Sequence, residues 1–122
     1  MFIYKKLDVW KLSKELVLKV YEVGKGFPSE EKFSLTNQLN RASVSVASNI
    51  AEGSSRRSLK DQAHFSEIAY GSLMEVACQL DLAYELGFIN NEKYKELEEK
   101  MENLAVKLSN YRQSQINRMR KS

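Results

Sequence analysis

The sequence predicts an all-α protein, an antiparallel up-down-up-down four-helix bundle. Apolar residues recur three and four positions apart in four stretches, which is the spacing of one face of an α-helix. The chain has one proline and five glycines in 122 residues, and the breakers at Gly24, Pro28, Gly53 and Gly87 fall near the ends of the stretches. Four amphipathic helices with short connections favour a bundle. We predict a single domain over residues 1–122, with helices at about 7–24, 30–53, 58–87 and 91–116.

Helix 1 begins near Leu7, with Asp8 close to the positive end of its dipole. Its main apolar stripe consists of Val9, Leu12, Leu16, Val20 and Val23. A second stripe flanks the first and consists of Trp10, Val17 and Tyr21. Together they form an apolar face wider than one neighbouring helix needs.

Helix 2 follows an N-cap at Ser29 or Ser34. Its apolar stripe consists of Leu35, Leu39, Ala42, Val46 and Ile50. Small residues crowd positions 42–51, and small side chains let another backbone come close. Gly53 is expected to close the helix in the left-handed conformation.

Helix 3 begins after Ser58, with Asp61 placed almost as in a capping box, and Gly87 closes it. Two seven-residue repeats share one side of it: Leu59, Ser66, Leu73, Leu80 and Ala63, Tyr70, Ala77, Tyr84. The apolar face is widened by Phe65, Ile68, Leu82 and Leu86. In this apolar setting the single Cys78 is predicted to be a small core residue.

Helix 4 begins near Asn90 or Asn91 and carries the most regular pattern in the chain. Its apolar residues repeat at three and four in a strict heptad seam: Tyr94, Leu97, Met101, Leu104, Leu108 and Tyr111. The remaining faces mix glutamates and lysines, as expected of a solvated surface with ion pairs one turn apart.

The composition argues against an enzyme. His64 is the only histidine and has no partner at a useful spacing, and one histidine cannot supply the two Glu-x-x-His pairs of a di-iron bundle. A hydrolase using Glu67 and Glu75 would lack a nucleophile. We therefore predict no catalytic residue, no metal ligand and no cofactor.

The location predicted from the sequence is the cytoplasm. No apolar run approaches the roughly 18 residues that a membrane span needs. The N-terminus lacks the apolar core of a secretory signal, and one cysteine cannot form a disulfide within the chain.

Polar residues lie among the apolar ones on helices 2 and 3: Asn49, Glu52, Glu67 and Glu75. One interpretation is an inter-helix polar network that satisfies itself and sets the register of the helices. The alternative is a polar surface at a subunit contact or a ligand site.

The net charge of +3 is too small by itself to indicate nucleic-acid binding, but the basic residues are clustered. The candidate phosphate contacts are Arg41, Arg56, Arg57, Lys60, Arg118 and Arg120. Arg56 and Arg57 have a second interpretation, in which they pair with carboxylates of a neighbouring copy, Glu52 or Glu67, and hold the assembly together. The basic tail from Arg112 also has two: a solvated helix end or an arm on phosphate.

Three segments carry a family resemblance: LDVWKLSKELVLKVYEV, RASVSVASNIAEGSSRRS and FSEIAYGSLMEVACQLDLAYELGFI. In this order they resemble the four-helix bundle proteins encoded by intervening sequences of bacterial 23S rRNA genes, sometimes labelled ribosomal protein-like. The resemblance runs from Leu7 to Leu108. A more distant resemblance is to the accessory bundle protein of diversity-generating retroelements.

The resemblance implies a homopentamer around a central opening that binds RNA, a ribonucleoprotein or another nucleic acid, without a catalytic residue. The residues that match the family signatures are Arg41, Asn49, Glu52, Gly53, Gly71, Ser72 and Glu75. Our first hypothesis is a non-enzymatic homo-oligomer that binds RNA. The alternative is a protein–protein scaffold or accessory subunit without a nucleic-acid role.

Overall fold

The computed structural model describes residues 1–121, which contain four α-helices and no β-strand. The helices are α1 (Asp8–Gly24), α2 (Leu35–Ser54), α3 (Leu59–Glu85) and α4 (Asn91–Lys121). Each helix contacts two others, since α2 packs against α1 and α3, and α4 packs against α3 and α1. The predicted all-α class is confirmed, and the packing is consistent with a bundle. None of these helices has an apolar run that would span a bilayer.

Three helix ends agree with the sequence signals. The Ser58 hydroxyl accepts a hydrogen bond from the Asp61 backbone N–H at 3.1 Å, as an N-cap does. Gly87 follows α3 with a φ of +81°, in the left-handed region that glycine tolerates best. The Asn90 side-chain oxygen accepts from the Lys93 N–H at 2.8 Å and caps α4.

The start of α2 agrees with the later of the two predicted N-cap positions, Ser34, and not with the predicted boundary near residue 30. A short 3₁₀ turn, Ser29–Glu31, follows Pro28, and α2 begins only at Leu35 instead of near residue 30. The Glu31 carboxylate accepts from the Leu35 N–H at 3.4 Å, while the Ser34 side chain makes no capping bond. A glutamate from the preceding turn therefore takes the role expected of a serine.

The predicted apolar stripes face one core. The buried residues of the α4 seam are Leu97, Met101, Leu104 and Leu108. They join an apolar cluster with Leu16 and Val20 of α1, Leu39 and Val46 of α2, and Leu73 and Leu80 of α3.

Two sequence-based expectations are wrong. Gly53 is not left-handed, because Gly87 is the sole described residue with a positive φ. Gly53 is instead a buried helical residue, and a Cβ there would lie 2.7 Å from the Cβ of Phe65 on α3. Cys78 is exposed rather than part of the core, because it lies on the outer side of α3.

Specific contacts tie neighbouring helices together. Ser45 and Ser72 share a hydrogen bond of 2.9 Å between α2 and α3. Between α1 and α4, Lys19 pairs with Glu96 at 3.2 Å, and Glu22 lies 3.9 Å from Lys93.

Candidate nucleic-acid interface

The connection between α2 and α3 holds Arg56 against its own chain. Its Nη2 lies 2.9 Å from Oε1 of Glu52, and its guanidinium carbon lies 4.6 Å from the centroid of the Phe65 ring. The Arg56 carbonyl also accepts a hydrogen bond from the Gln62 amide at 2.9 Å. Arg56 therefore pairs with Glu52 of its own chain, whereas the second interpretation of its role placed the carboxylate on a neighbouring copy.

The serine hydroxyls of this connection also form hydrogen bonds within the chain. The hydroxyls of Ser54 and Ser55 donate to the carbonyls of Ala51 and Glu52, each at 2.7 Å. These contacts complete the end of α2, as the Ser58 cap completes the start of α3.

Arg57 and Lys60 are placed differently. Both side chains are exposed, and neither makes an ion pair within the described residues. Each has a charged head in solvent at the start of α3, where the positive end of the helix dipole adds to the field. Of the four predicted residues at 41–60, these two are the best placed to contact a phosphate.

The last turns of α4 lie beside the first turns of α3. Gln115 is 1% exposed, and its side-chain oxygen accepts a hydrogen bond from the Ser66 hydroxyl at 2.7 Å. Arg112 lies 3.5 Å from the Glu67 carboxylate on α3. These contacts hold residues 112–115 against α3, and α4 continues to Lys121, past the predicted end at residue 116.

Arg118 and Arg120 are therefore on an ordered helix, in its last turn, with exposed side chains. Burial raises the pKa of Tyr111, and the positive charge of Arg118 opposes that rise. The Gln115–Ser66 contact places the last turns of α4 near the first half of α3, which also holds Lys60.

The N-terminus adds two lysines that the sequence analysis did not select. A 3₁₀ turn, Ile3–Lys6, carries Lys5 and Lys6 with exposed side chains. An open groove of about 540 Å³ lies between residues 1–4 and the end of α2 at residues 51–55. This packing brings both lysines to the end of the molecule that holds Arg57, and no local sequence signal indicates it.

Arg41 is not part of this cluster. It lies about four helical turns before Arg56, roughly 20 Å away along α2. It lines a separate groove of about 310 Å³ between α2 and α3, together with Glu75 and Gln79. A carboxylate in the same groove makes it a poor site for phosphate.

The four residues of the predicted polar network do not form one network in a single copy. Asn49 donates to the Ser45 carbonyl on its own helix at 2.8 Å, Glu52 pairs with Arg56, and Glu67 pairs with Arg112. Glu75 makes no ion pair among the described residues. Other side chains make the hydrogen bonds that join helices, at Ser45–Ser72, Ser66–Gln115, Asp81–Tyr94 and Tyr84–Asn91.

The described residues also contain no group of three or more histidine, cysteine or carboxylate side chains arranged to hold a metal ion.

Comparisons with known proteins agree with this architecture. A solved structure of a protein of unknown function from the S23 ribosomal protein family of Bacteroides thetaiotaomicron is similar, with a TM-score of 0.76 and 24% sequence identity. The match covers 82% of this chain and 94% of that one, and at this identity it shows the fold. Among curated proteins, none matches the chain. The family described as 23S rRNA-intervening sequence protein matches residues 5–110, so the chain belongs to that family.

Proposed function

We propose that the protein is a non-enzymatic homo-oligomer of antiparallel four-helix bundles, with five copies, that binds RNA in the cytoplasm through one basic end. The observation that carries the proposal is the separation of charge along the bundle. The homopentamer comes from the family resemblance and from the wide apolar face around Trp10 and Tyr21.

The antiparallel arrangement is supported by the order of the contacts. Lys19 pairs with Glu96, whereas Glu22, later in α1, lies near Lys93, earlier in α4. On α3 and α4, Ser66 bonds Gln115, whereas Asp81 bonds the Tyr94 hydroxyl. In both helix pairs, residue numbers that increase along one helix are paired with residue numbers that decrease along the other.

Dividing every helix at its midpoint then separates two halves of very different charge. One half contains residues 1–16, 45–71 and 106–121, with 12 basic and 5 acidic side chains. The other half contains 7 basic and 11 acidic side chains. The first half therefore has a formal charge of +7 and the second −4, although the whole chain has only +3.

RNA is the polymer that suits such an end. Its phosphates attract Lys and Arg without regard to sequence, and release of counterions makes the binding sensitive to salt. Five copies would present the basic end five times, so that weak contacts add through multivalency. The exposed Arg57, Lys60, Arg118 and Arg120 would contact phosphate directly, with Lys5 and Lys6 beside them.

The charge-reversed variant Arg57→Glu with Lys60→Glu tests the proposal. A matched control, Lys25→Glu with Lys95→Glu, makes the same change of charge at exposed positions outside the basic half. We expect the first variant to lose RNA affinity and to show a shallower dependence of binding on salt, as measured by fluorescence anisotropy with a labelled single strand. The control should retain more of the affinity at the same ionic strength. Equal losses in both variants would mean that only net charge matters and would contradict a basic-end site.

Light scattering tests the assembly separately. The expected mass at micromolar concentration is several times the 14.1 kDa of the chain. A monomer mass would overturn the oligomer and the multivalent binding with it.

A protein-scaffold function is the second candidate, because one observation favours it. Phe2 and Ile3 are 74% and 65% exposed and line the groove of about 540 Å³ beside the end of α2. Exposed apolar side chains of this kind are typical of protein contacts. If the parent protein shows no salt-sensitive RNA binding, the scaffold becomes the better proposal.

A further inference from the structure

The outer side of α3 carries a heptad seam of its own, distinct from the seam of α4. No helix of the same chain covers it. Ile68, Gly71, Glu75, Cys78 and Leu82 follow one another at spacings of three, four, three and four, and all five are exposed. Ile68 is 38% exposed and Leu82 52%. Residues spaced in this way form one face of a helix, so these five make a continuous outer seam.

Gly71 is the most informative member of this outer seam. It lies in the middle of a helix of 27 residues, where glycine is a poor choice compared with alanine. Its φ is not positive, and a Cβ placed there would meet nothing within 4 Å. Neither backbone conformation nor packing within one copy accounts for a glycine here, whereas a close approach by another chain would.

A mostly apolar groove lies between α1 and α2, on the side of α2 away from α3. It has a volume of about 310 Å³ and is lined by Tyr4, Trp10, Lys14, Val17, Leu18, Val44, Ala47, Ser48 and Ala51. Leu18 at its edge is 61% exposed. α2 contributes mostly small residues to this lining, and α1 contributes larger apolar residues.

The charges of the two surfaces are complementary. Lys14 is the one charged residue in the lining of the groove, and Glu75 is the one charged residue of the outer seam, where Arg41 of α2 lies along the same α2–α3 groove. Neither Lys14 nor Glu75 makes an ion pair within residues 1–121. Lys14 lies 5.7 Å from the Trp10 ring centroid, which leaves its charge at the groove.

We propose that the outer seam of α3 in one copy seats in the α1–α2 groove of the next copy, with Gly71 at the closest approach. This inference rests on the oligomer proposed above and names its contact surfaces. Because the seam and the groove are different surfaces of one chain, the contact is head-to-tail. Repeating such a contact closes a ring when the rotation between copies allows it.

Substitutions on each surface test the contact. Gly71→Leu adds bulk where the single copy has open space, and Leu18→Glu places a charge on an exposed side chain, so both variants should fold with unchanged helicity by circular dichroism. Each should raise the dissociation constant of the oligomer by about tenfold or more in light scattering over a concentration series. The control Ser114→Leu, at an exposed position of α4, should leave the dissociation constant of the oligomer unchanged.

Disulfide trapping tests the direction of the contact. Val44→Cys and Ala47→Cys each place a thiol in the groove, in a chain that already carries Cys78 on the outer seam. After mild oxidation, at least one of them should give a ladder beyond dimers on a non-reducing gel, because each copy links to two neighbours. Ser114→Cys should give no such ladder.

The outcomes separate this inference from the function on which it rests. A parent protein that is a monomer overturns both. A parent oligomer that withstands Gly71→Leu and Leu18→Glu overturns only the assigned contact. A product that stops at dimers in the trapping experiment overturns the head-to-tail direction.

Discussion

Gly53 and Gly71 are both helical glycines followed by serine, yet their surroundings are opposite. Gly53 is buried, and a Cβ there would lie 2.7 Å from the Cβ of Phe65. Gly71 is exposed, and a Cβ there would touch nothing within 4 Å. The first glycine is explained by packing within one copy, because it lets α3 approach α2. The second has no such explanation within one copy, and it lies on the surface that we propose contacts another copy.

The largest expected effect is at Gly53. Gly53→Ala should lower the free energy of unfolding by about 1–3 kcal/mol, because both crowded carbons are bound directly to backbone and cannot rotate away. The gain of helix propensity from alanine, up to about 1 kcal/mol, offsets part of this. Urea unfolding measures the change. A variant as stable as the parent would show that α2 and α3 can move apart easily at this point.

Ser66 provides a second test of packing within one copy. It follows Phe65, the residue that approaches Gly53, but its side chain contacts α4 instead of α2. Ser66→Ala removes the hydrogen bond to the buried Gln115 oxygen and should cost about 1–3 kcal/mol. Ser109→Ala, at an exposed serine of α4, is the control and should stay within about 0.5 kcal/mol. If the two substitutions cost the same, the end of α4 is not anchored by this bond.

Gly71→Ala should act in the opposite sense to Gly53→Ala. At a concentration low enough to dissociate the copies, it should raise the free energy of unfolding by up to about 1 kcal/mol, because alanine favours the helix and meets no obstacle. At high concentration the gain should shrink if the added methyl group disturbs the contact between copies. A loss of stability in the dissociated chain would show that Gly71, like Gly53, is required for packing within one copy.

The smallest effect is expected at Ser48, inside the run of small residues on α2. Its side chain is exposed, so Ser48→Leu should change the stability of the dissociated chain by less than about 0.5 kcal/mol. Within one copy the run contacts α3 through the Ser45–Ser72 hydrogen bond, and α3 also comes close at Gly53. A large loss on thermal unfolding would show that Ser48 too packs against a helix of the same copy.

The sequence by itself determined the features that depend on residues close together in the chain. The heptad seam of α4, the Ser58 cap and the turn at Gly87 follow from helix periodicity, capping and backbone conformation, and each needs a few consecutive residues only.

Only the tertiary structure decided the features that depend on how the helices pack. The role of Gly53 is set by Phe65 on α3, and the polar Gln115 of α4 is buried where Ser66 of α3 can hydrogen-bond it. The two N-terminal lysines reach the basic end because residues 1–4 pack on α2. Cys78 is exposed although its neighbours are apolar, because α3 is covered on one side only and this residue lies on the other. Such placements arise from contacts between residues distant in sequence, which periodicity along one helix does not encode.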